Sequence, residues 1–407
     1  GAASGTQTLL IGAPNGLVAT NNGIVSANGI LNITNGGMRG RFTIENSGQL
    51  KLEGAANKNF YDLRLLNRGT ILWSGGNLLA GNSGSTTISN GGLWQITGDN
   101  QIYQTYGGPL MTLTNSGTIQ KTGGSGISQI SNFQLVNRPP GIVQATSGTL
   151  RIQGGGSNEI GGQFIATSPG LVTITSGTWF DSGGTASGTG TNRFDGGTLN
   201  LRTNIIPNLR HTGGDIYVIA NTFQQGGAIT NLTIDGAQLR GTNRVGNGTL
   251  LIRSGGVNGR LTIQPAGTLQ FATAPNKNVY NLHLINQGTV DWSAGNLLGG
   301  NTASTTISNG GLWLVSGDNQ IYQTYGGPTI TWTNTGILRK TAGAGISQIS
   351  NFMFVNRPGA TVEALSGTLQ FNGTDSPASQ LGGQFLATAP AVVNLAGGTW
   401  TDAGGTA

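Results

Sequence analysis

Asparagine followed closely by glycine returns along this chain at a nearly fixed interval, with alternating apolar residues on both sides, and few folds accommodate such a pattern. The corners are Asn46-Ser47-Gly48, Asn67-Arg68-Gly69, Asn90-Gly91-Gly92, Asn115-Ser116-Gly117 and the longer Asn137-Arg138-Pro139-Pro140-Gly141. Their steps are 21, 23, 25 and 22 residues. Asn and Gly tolerate a left-handed backbone, so the pattern predicts a turn that needs positive φ at the same place in every period. Two and four residues after the glycine stand Leu50 and Leu52, Ile71 and Trp73, Trp94 and Ile96, Val143 and Ala145. A spacing of two puts each pair on one face of a strand.

A strand pair of this size cannot bury its apolar face alone, but coils stacked along an axis cover one another. The expected fold is therefore all-β, a single elongated parallel β-solenoid with 21–25 residues per coil and the corner asparagines in file. Amides stacked in this way can hydrogen-bond along the axis. The file would hold Asn46, Asn67, Asn90, Asn115 and Asn137. Charged residues make up 8% of the chain against about 25% in an ordinary soluble domain. With 36% hydrophobic residues and regular alternation, the sequence nevertheless reads as ordered. At about 4.8 Å between stacked strands, 407 residues predict a rod on the order of 85 Å long.

A longer repeat overlays the coils. Gly76-Asn77-Leu78-Leu79 returns 219 residues later as Gly295-Asn296-Leu297-Leu298, and the corners recur at Asn286, Asn309, Asn334 and Asn356 with steps of 23, 25 and 22. The expected organisation is N-terminal coils over 1–28 that continue the pattern of 184–201, a first copy over 29–188, connecting coils over 189–247 and a second copy over 248–407. Ala3-Ser4-Gly5-Thr6 resembles Ala186-Ser187-Gly188-Thr189, and Gly404-Gly405-Thr406-Ala407 matches Gly183-Gly184-Thr185-Ala186. End-to-end copies would continue the register, so a segment of a longer array or a self-stacking fibre subunit is expected.

The net charge of +6 arises from few ionisable groups and no basic cluster, which argues against nucleic acid as a partner. The chain has no cysteine and no apolar run of membrane-spanning length, so neither disulfides, thiolate metal sites nor membrane insertion are expected. The acids seldom recur between copies: Glu45, Glu53, Asp62 and Glu159 face Gln264, Ala272, Asn281 and Gln380. That predicts solvated positions and no catalytic carboxylate pair. His211 and His283 have no metal-ligand spacing, and no cofactor is expected.

One block differs: residues 98–109 are identical to 317–328. Its Asp99, Asn100, Tyr103 and Tyr106, with Asp318, Asn319, Tyr322 and Tyr325, are candidate polysaccharide contacts, aromatic faces beside polar groups being what a sugar surface uses. The same residues also suit a long turn, with the tyrosines lying over a neighbouring coil. Trp73, Trp94, Trp292 and Trp313 fall at the inward phase and are expected in the core. Lys121 and Lys340 occupy that phase too: either the strand ends early and the ammonium reaches water, which is the expectation, or the lysine is buried with a partner that the sequence does not identify.

At Gly148-Thr149-Leu150-Arg151-Ile152-Gln153-Gly154-Gly155 and Gly196-Gly197-Thr198-Leu199-Asn200-Leu201, the chain resembles the repeat regions of giant bacterial surface proteins, among them filamentous-haemagglutinin-like adhesins and autotransporter passengers. The resemblance implies a right-handed parallel β-helix acting outside the cell or at its surface as a stalk or fibre. It implies self-assembly, end to end or lateral, with surface polysaccharide as a further partner.

Overall fold

The computed structural model describes residues 8–12, 17–81, 83–105, 107–223, 227–300, 302–324 and 326–407. The chain forms two compact units, Gly1–Arg210 and His211–Ala407, and the division falls within the connecting coils. Each unit is a parallel β-solenoid. In the first, Thr70–Trp73 pairs in parallel with Gln49–Leu52 on one side and Leu93–Ile96 on the other, one full coil away in each direction. A second face stacks Leu63–Asn67, Thr87–Asn90 and Met111–Asn115, and a third stacks Lys58–Phe60, Leu78–Ala80 and Gln101–Gln104. The second unit repeats this plan: Leu282–Asn286, Thr306–Asn309 and Ile330–Asn334 stack, as do Thr289–Trp292, Leu312–Val315 and Ile337–Lys340.

Period-two alternation sets which residues meet inside. Leu50, Ile71, Trp94, Ile119 and Val143 form one in-register core file, and Leu52, Trp73, Ile96, Lys121 and Ala145 form the next. All ten are fully buried or nearly so. The four tryptophans expected in the core are fully buried, with Trp73 and Trp94 tilted at a centroid distance of 6.1 Å. In the second unit aromatic contacts cross the core from Trp313 to Trp332, pass up one face to Phe354 and cross again to Phe371, with centroids 4.4, 6.2 and 4.5 Å apart. Adjacent rings at such separations add attraction beyond the apolar area they bury.

The asparagines form axial amide chains. Asn67 Nδ2 donates to Asn90 Oδ1 at 2.7 Å, Asn90 to Asn115 at 2.7 Å and Asn115 to Asn137 at 2.8 Å. Each of these amides also donates at 3.1 Å to a backbone carbonyl one coil on: Leu93, Thr118 and Ile142. In the second unit Asn286, Asn309, Asn334 and Asn356 are joined at 2.6, 2.8 and 2.8 Å. Asn46 is not in the file. It is exposed in a turn, and the residue that registers with Asn67 is the apolar Ile44, so the chain begins one coil later than its spacing implies.

The role of the corner glycines also differs from expectation. Neither the ladder asparagines nor Gly69, Gly92 and Gly117 have positive φ. What glycine supplies there is proximity. A Cβ on Gly69 would lie 2.3 Å from the Gly48 carbonyl oxygen, one on Gly92 2.2 Å from that of Gly69, and one on Gly117 2.1 Å from that of Gly92. Those same carbonyls accept from Thr70, Leu93 and Thr118 N–H at 2.9, 2.9 and 2.8 Å. Glycine at the corner is thus the condition for coil-to-coil hydrogen bonding immediately after it.

Asn90→Ala would strand two buried polar atoms, the Asn67 Nδ2 and the Asn115 Oδ1, each losing one partner. A loss of about 1–3 kcal/mol is expected, the cost of unsatisfied buried groups. Coil arrays open locally, so native-state hydrogen exchange is the appropriate measurement. Protection should fall first in 87–96 and in the coils directly above and below.

Candidate functional site

The buried polar chemistry of both units centres on lysine. Lys121 continues the core file of Ile96, so its strand does not end early; its register with Ala145 holds it inside. The side chain is fully buried, and its ammonium donates to Asp99 Oδ1 at 2.7 Å, Gly123 O at 2.7 Å and Gly98 O at 3.2 Å. Three donors thus meet three acceptors. Lys340 repeats the arrangement with Asp318 at 2.8 Å, Ala342 O at 2.9 Å and Gly317 O at 3.2 Å, and adds Ser347 Oγ at 2.8 Å. The expectation that these ammonium groups reach water is corrected: neighbouring corners present backbone carbonyls to them.

This geometry accounts for the duplicated block. Asp99 also accepts from Gly126 N–H at 3.1 Å, and Asp318 from Gly345 N–H at 3.0 Å. The lysine hydrogen bond is the main cause that holds both carboxyls below the usual aspartate range, with the glycine N–H adding to it against a partial burial penalty. Asn100 and Asn319 are buried, and Asn319 Nδ2 donates to Trp292 O at 3.3 Å. Asp99, Asp318 and Asn319 therefore bond neighbouring coils to one another, while Asn100 Nδ2 is buried without a partner among the described residues. Tyr103 and Tyr322 are half-buried, and Tyr106 and Tyr325 lie outside the described residues.

A second pair of lysines carried no signal in the sequence. Lys58 and Lys277 look polar and surface-bound, yet each is fully buried in the file of Leu78 or Leu297. Lys58 Nζ donates to Gly75 O at 2.6 Å and Gly54 O at 2.8 Å. Lys277 Nζ donates to Ala294 O at 2.7 Å and to Thr273 O. Gly54 and Thr273 occupy the same place in the two units, both with positive φ, 74° and 70°; this left-handed corner turns the carbonyl inward. Burial lowers the pKa of Lys58, with Glu53 opposing the shift, and lowers that of Lys277 to about 8. The residue that replaces Glu53 is Ala272, so Lys277 has no such carboxylate. Two acceptors are as many as a neutral amine can serve with its two N–H donors.

The remaining candidates are dispersed. His211 is buried, with Nδ1 3.1 Å from Thr233 O and no partner for Nε2; desolvation is the main cause of its lowered pKa. His283 is exposed and lies 2.9 Å from Thr306 Oγ1. Acids read as idle solvated groups are paired across coils: Asp62 with Arg39 at 2.8 Å, Glu45 with Arg68 at 3.3 Å and Glu159 with Arg138 at 3.5 Å. Among the described residues no group of three or more His, Asp or Glu is placed to hold a metal ion. Comparison with protein-family models, curated proteins and solved structures finds no match.

Lys277 makes stability depend on pH with a definite sign. Its folded pKa of about 8 lies below the 10.5 of the free side chain, so between these values the unfolded chain binds more protons and stability rises with pH. Below pH 8 both states are protonated and the cost of burying the charge is present in full. Urea midpoints followed by tryptophan fluorescence should rise from pH 8 to 10 more steeply in the wild type than in Lys277→Met.

Proposed function

We propose that this chain is a structural β-solenoid, a stalk or fibre element of a bacterial cell surface or extracellular matrix, whose work is done by stacking and not by turnover. The reading rests on the coil edges. Strand Val392–Gly397 pairs with Thr368–Gly373 on one side, and Val392 and Leu395 of this strand, with Leu386 nearby, are 47, 39 and 40% exposed. In the first unit Leu9, Leu10, Val18 and Ile24 are 53–62% exposed around another coil edge. Open strand edges beside apolar side chains are templates for further pairing. Another solenoid coil, from the same polypeptide or from a second copy, supplies both the backbone partners and the apolar cover.

The internal devices support the same role. Asparagine chains, close glycine corners and caged lysines all act along the stacking direction, and they recur in both units. The family resemblance at 148–155 and 196–201 points to the same kind of protein and to surface assembly.

The isolated 407-residue chain should associate with rising concentration, and negative-stain microscopy should show filaments one solenoid wide. Leu386→Glu together with Val392→Glu should suppress filaments while leaving circular dichroism unchanged. A wild-type chain that stays monodisperse at high concentration would overturn self-stacking.

A further inference from the structure

Two arginines on the outer face of the first unit stand in one file without a carboxylate. The register runs Asn22, Arg41, Arg64, Thr87, so Arg41 and Arg64 are direct neighbours on adjacent coils, about 4.8 Å apart at the backbone. Both side chains are exposed. Their flanking cations are each matched across the same coil boundary, Arg39 by Asp62 at 2.8 Å and Arg68 by Glu45 at 3.3 Å. Among the described residues Arg41 and Arg64 have no such partner. Like charges directly opposite one another on adjacent strands are destabilising, so an unmatched pair in the middle of matched ones calls for a compensating anion.

The second unit gives an independent reading of the same place. Both flanking ion pairs are gone: Arg39 and Asp62 become Asn258 and Asn281, and Glu45 and Arg68 become Gln264 and Gln287. The central file becomes Arg260 beside His283, again followed by threonine, Thr306. What both copies retain is the file without carboxylates.

We propose that the Arg41–Arg64 file, with Arg260 and His283 as its weaker counterpart, binds the carboxylates of an acidic polysaccharide. Each guanidinium offers a planar fork that takes a carboxylate in a bidentate manner, and two adjacent coils set two such forks side by side, within reach of carboxylates on a linear uronate chain. The shallow groove around Arg41 and Arg64 is also lined by Leu65, Leu66 and a buried Thr43 bonded to Asn22, and its polar groups Asn22, Thr87 and Ser89 suit sugar hydroxyls. Its one aromatic, Phe42, is buried and offers no face for stacking nucleobases.

The test is binding of the whole chain to polygalacturonate, its methyl ester, dextran sulfate and single-stranded DNA by biolayer interferometry at low and high salt. Polygalacturonate should bind best, with the methyl ester weaker by about tenfold or more. Arg41→Gln with Arg64→Gln should weaken polygalacturonate binding by about tenfold without lowering the thermal midpoint, because both side chains are exposed and their mutual repulsion is removed. Adding His283→Arg to that double variant should recover part of the loss. Absence of polygalacturonate binding, unchanged binding in the double variant, or equal or stronger capture of dextran sulfate or DNA would overturn the proposal. Filament formation is read separately, so failure here leaves the stacking role standing.

Discussion

Coil-to-coil hydrogen bonding through the glycine corners is the constraint on which the rest of the structure depends. The strand after each corner can accept its neighbour only if the corner backbones approach to a distance that no Cβ tolerates. Once that approach is made, register is fixed, and every inward position is stacked on the inward position of the next coil. Variation in coil length is absorbed elsewhere. The longest step, from Asn90 to Asn115, contains the repeated block 98–109 with its strand Gln101–Gln104, while the pairing of Thr87–Asn90 with Met111–Asn115 runs without a break.

A core this narrow places backbone polar groups next to side chains that would elsewhere be wholly apolar in surroundings. That is why amides and ammonium groups can live inside it. A buried amide costs free energy unless its hydrogen bonds are made, and each asparagine in the chains finds acceptors in the next amide and in a strand carbonyl. The lysines follow the same logic with carbonyls at corners, and only Lys121 and Lys340 add a carboxylate. The carboxylate is half-exposed, so the charge pair keeps contact with water on one side and avoids part of the desolvation penalty of a fully buried pair.

The coil period, the inward phase of Trp73 and Trp94, and the copy offset of 219 were legible because they rest on spacing alone. The fate of individual polar residues was not, because it depends on groups that every residue carries. Nothing in the letters around Lys58 distinguishes the carbonyls of Gly54 and Gly75 from any others. Asn46 misled for a related reason: its place before a glycine matches the other corners, but Ile44 holds the register position that an amide would need. Glycine misled as well. Its freedom at positive φ is used at Gly54 and Gly76, whereas at Gly92 only its small size matters. A sequence records which residue is present, not which of its two special properties is in use.

The difference between the two units separates these cases physically. Buried positions reappear unchanged whether their partners are backbone carbonyls, as for Lys58 and Lys277, or buried side chains and carbonyls together, as for Asn90 and Asn309 or Lys121 and Lys340. Exposed ion pairs change together: Arg39 with Asp62, Glu45 with Arg68, each pair turning neutral in the second unit. The magnitudes agree with this division. An exposed ion pair contributes about 0–1 kcal/mol and its joint loss is nearly silent, whereas a buried donor left without its acceptor costs about 1–3 kcal/mol. The file of Arg41 and Arg64, reappearing as Arg260 and His283 while its charged neighbours are lost, fits neither class: among the described residues no carboxylate is paired with it.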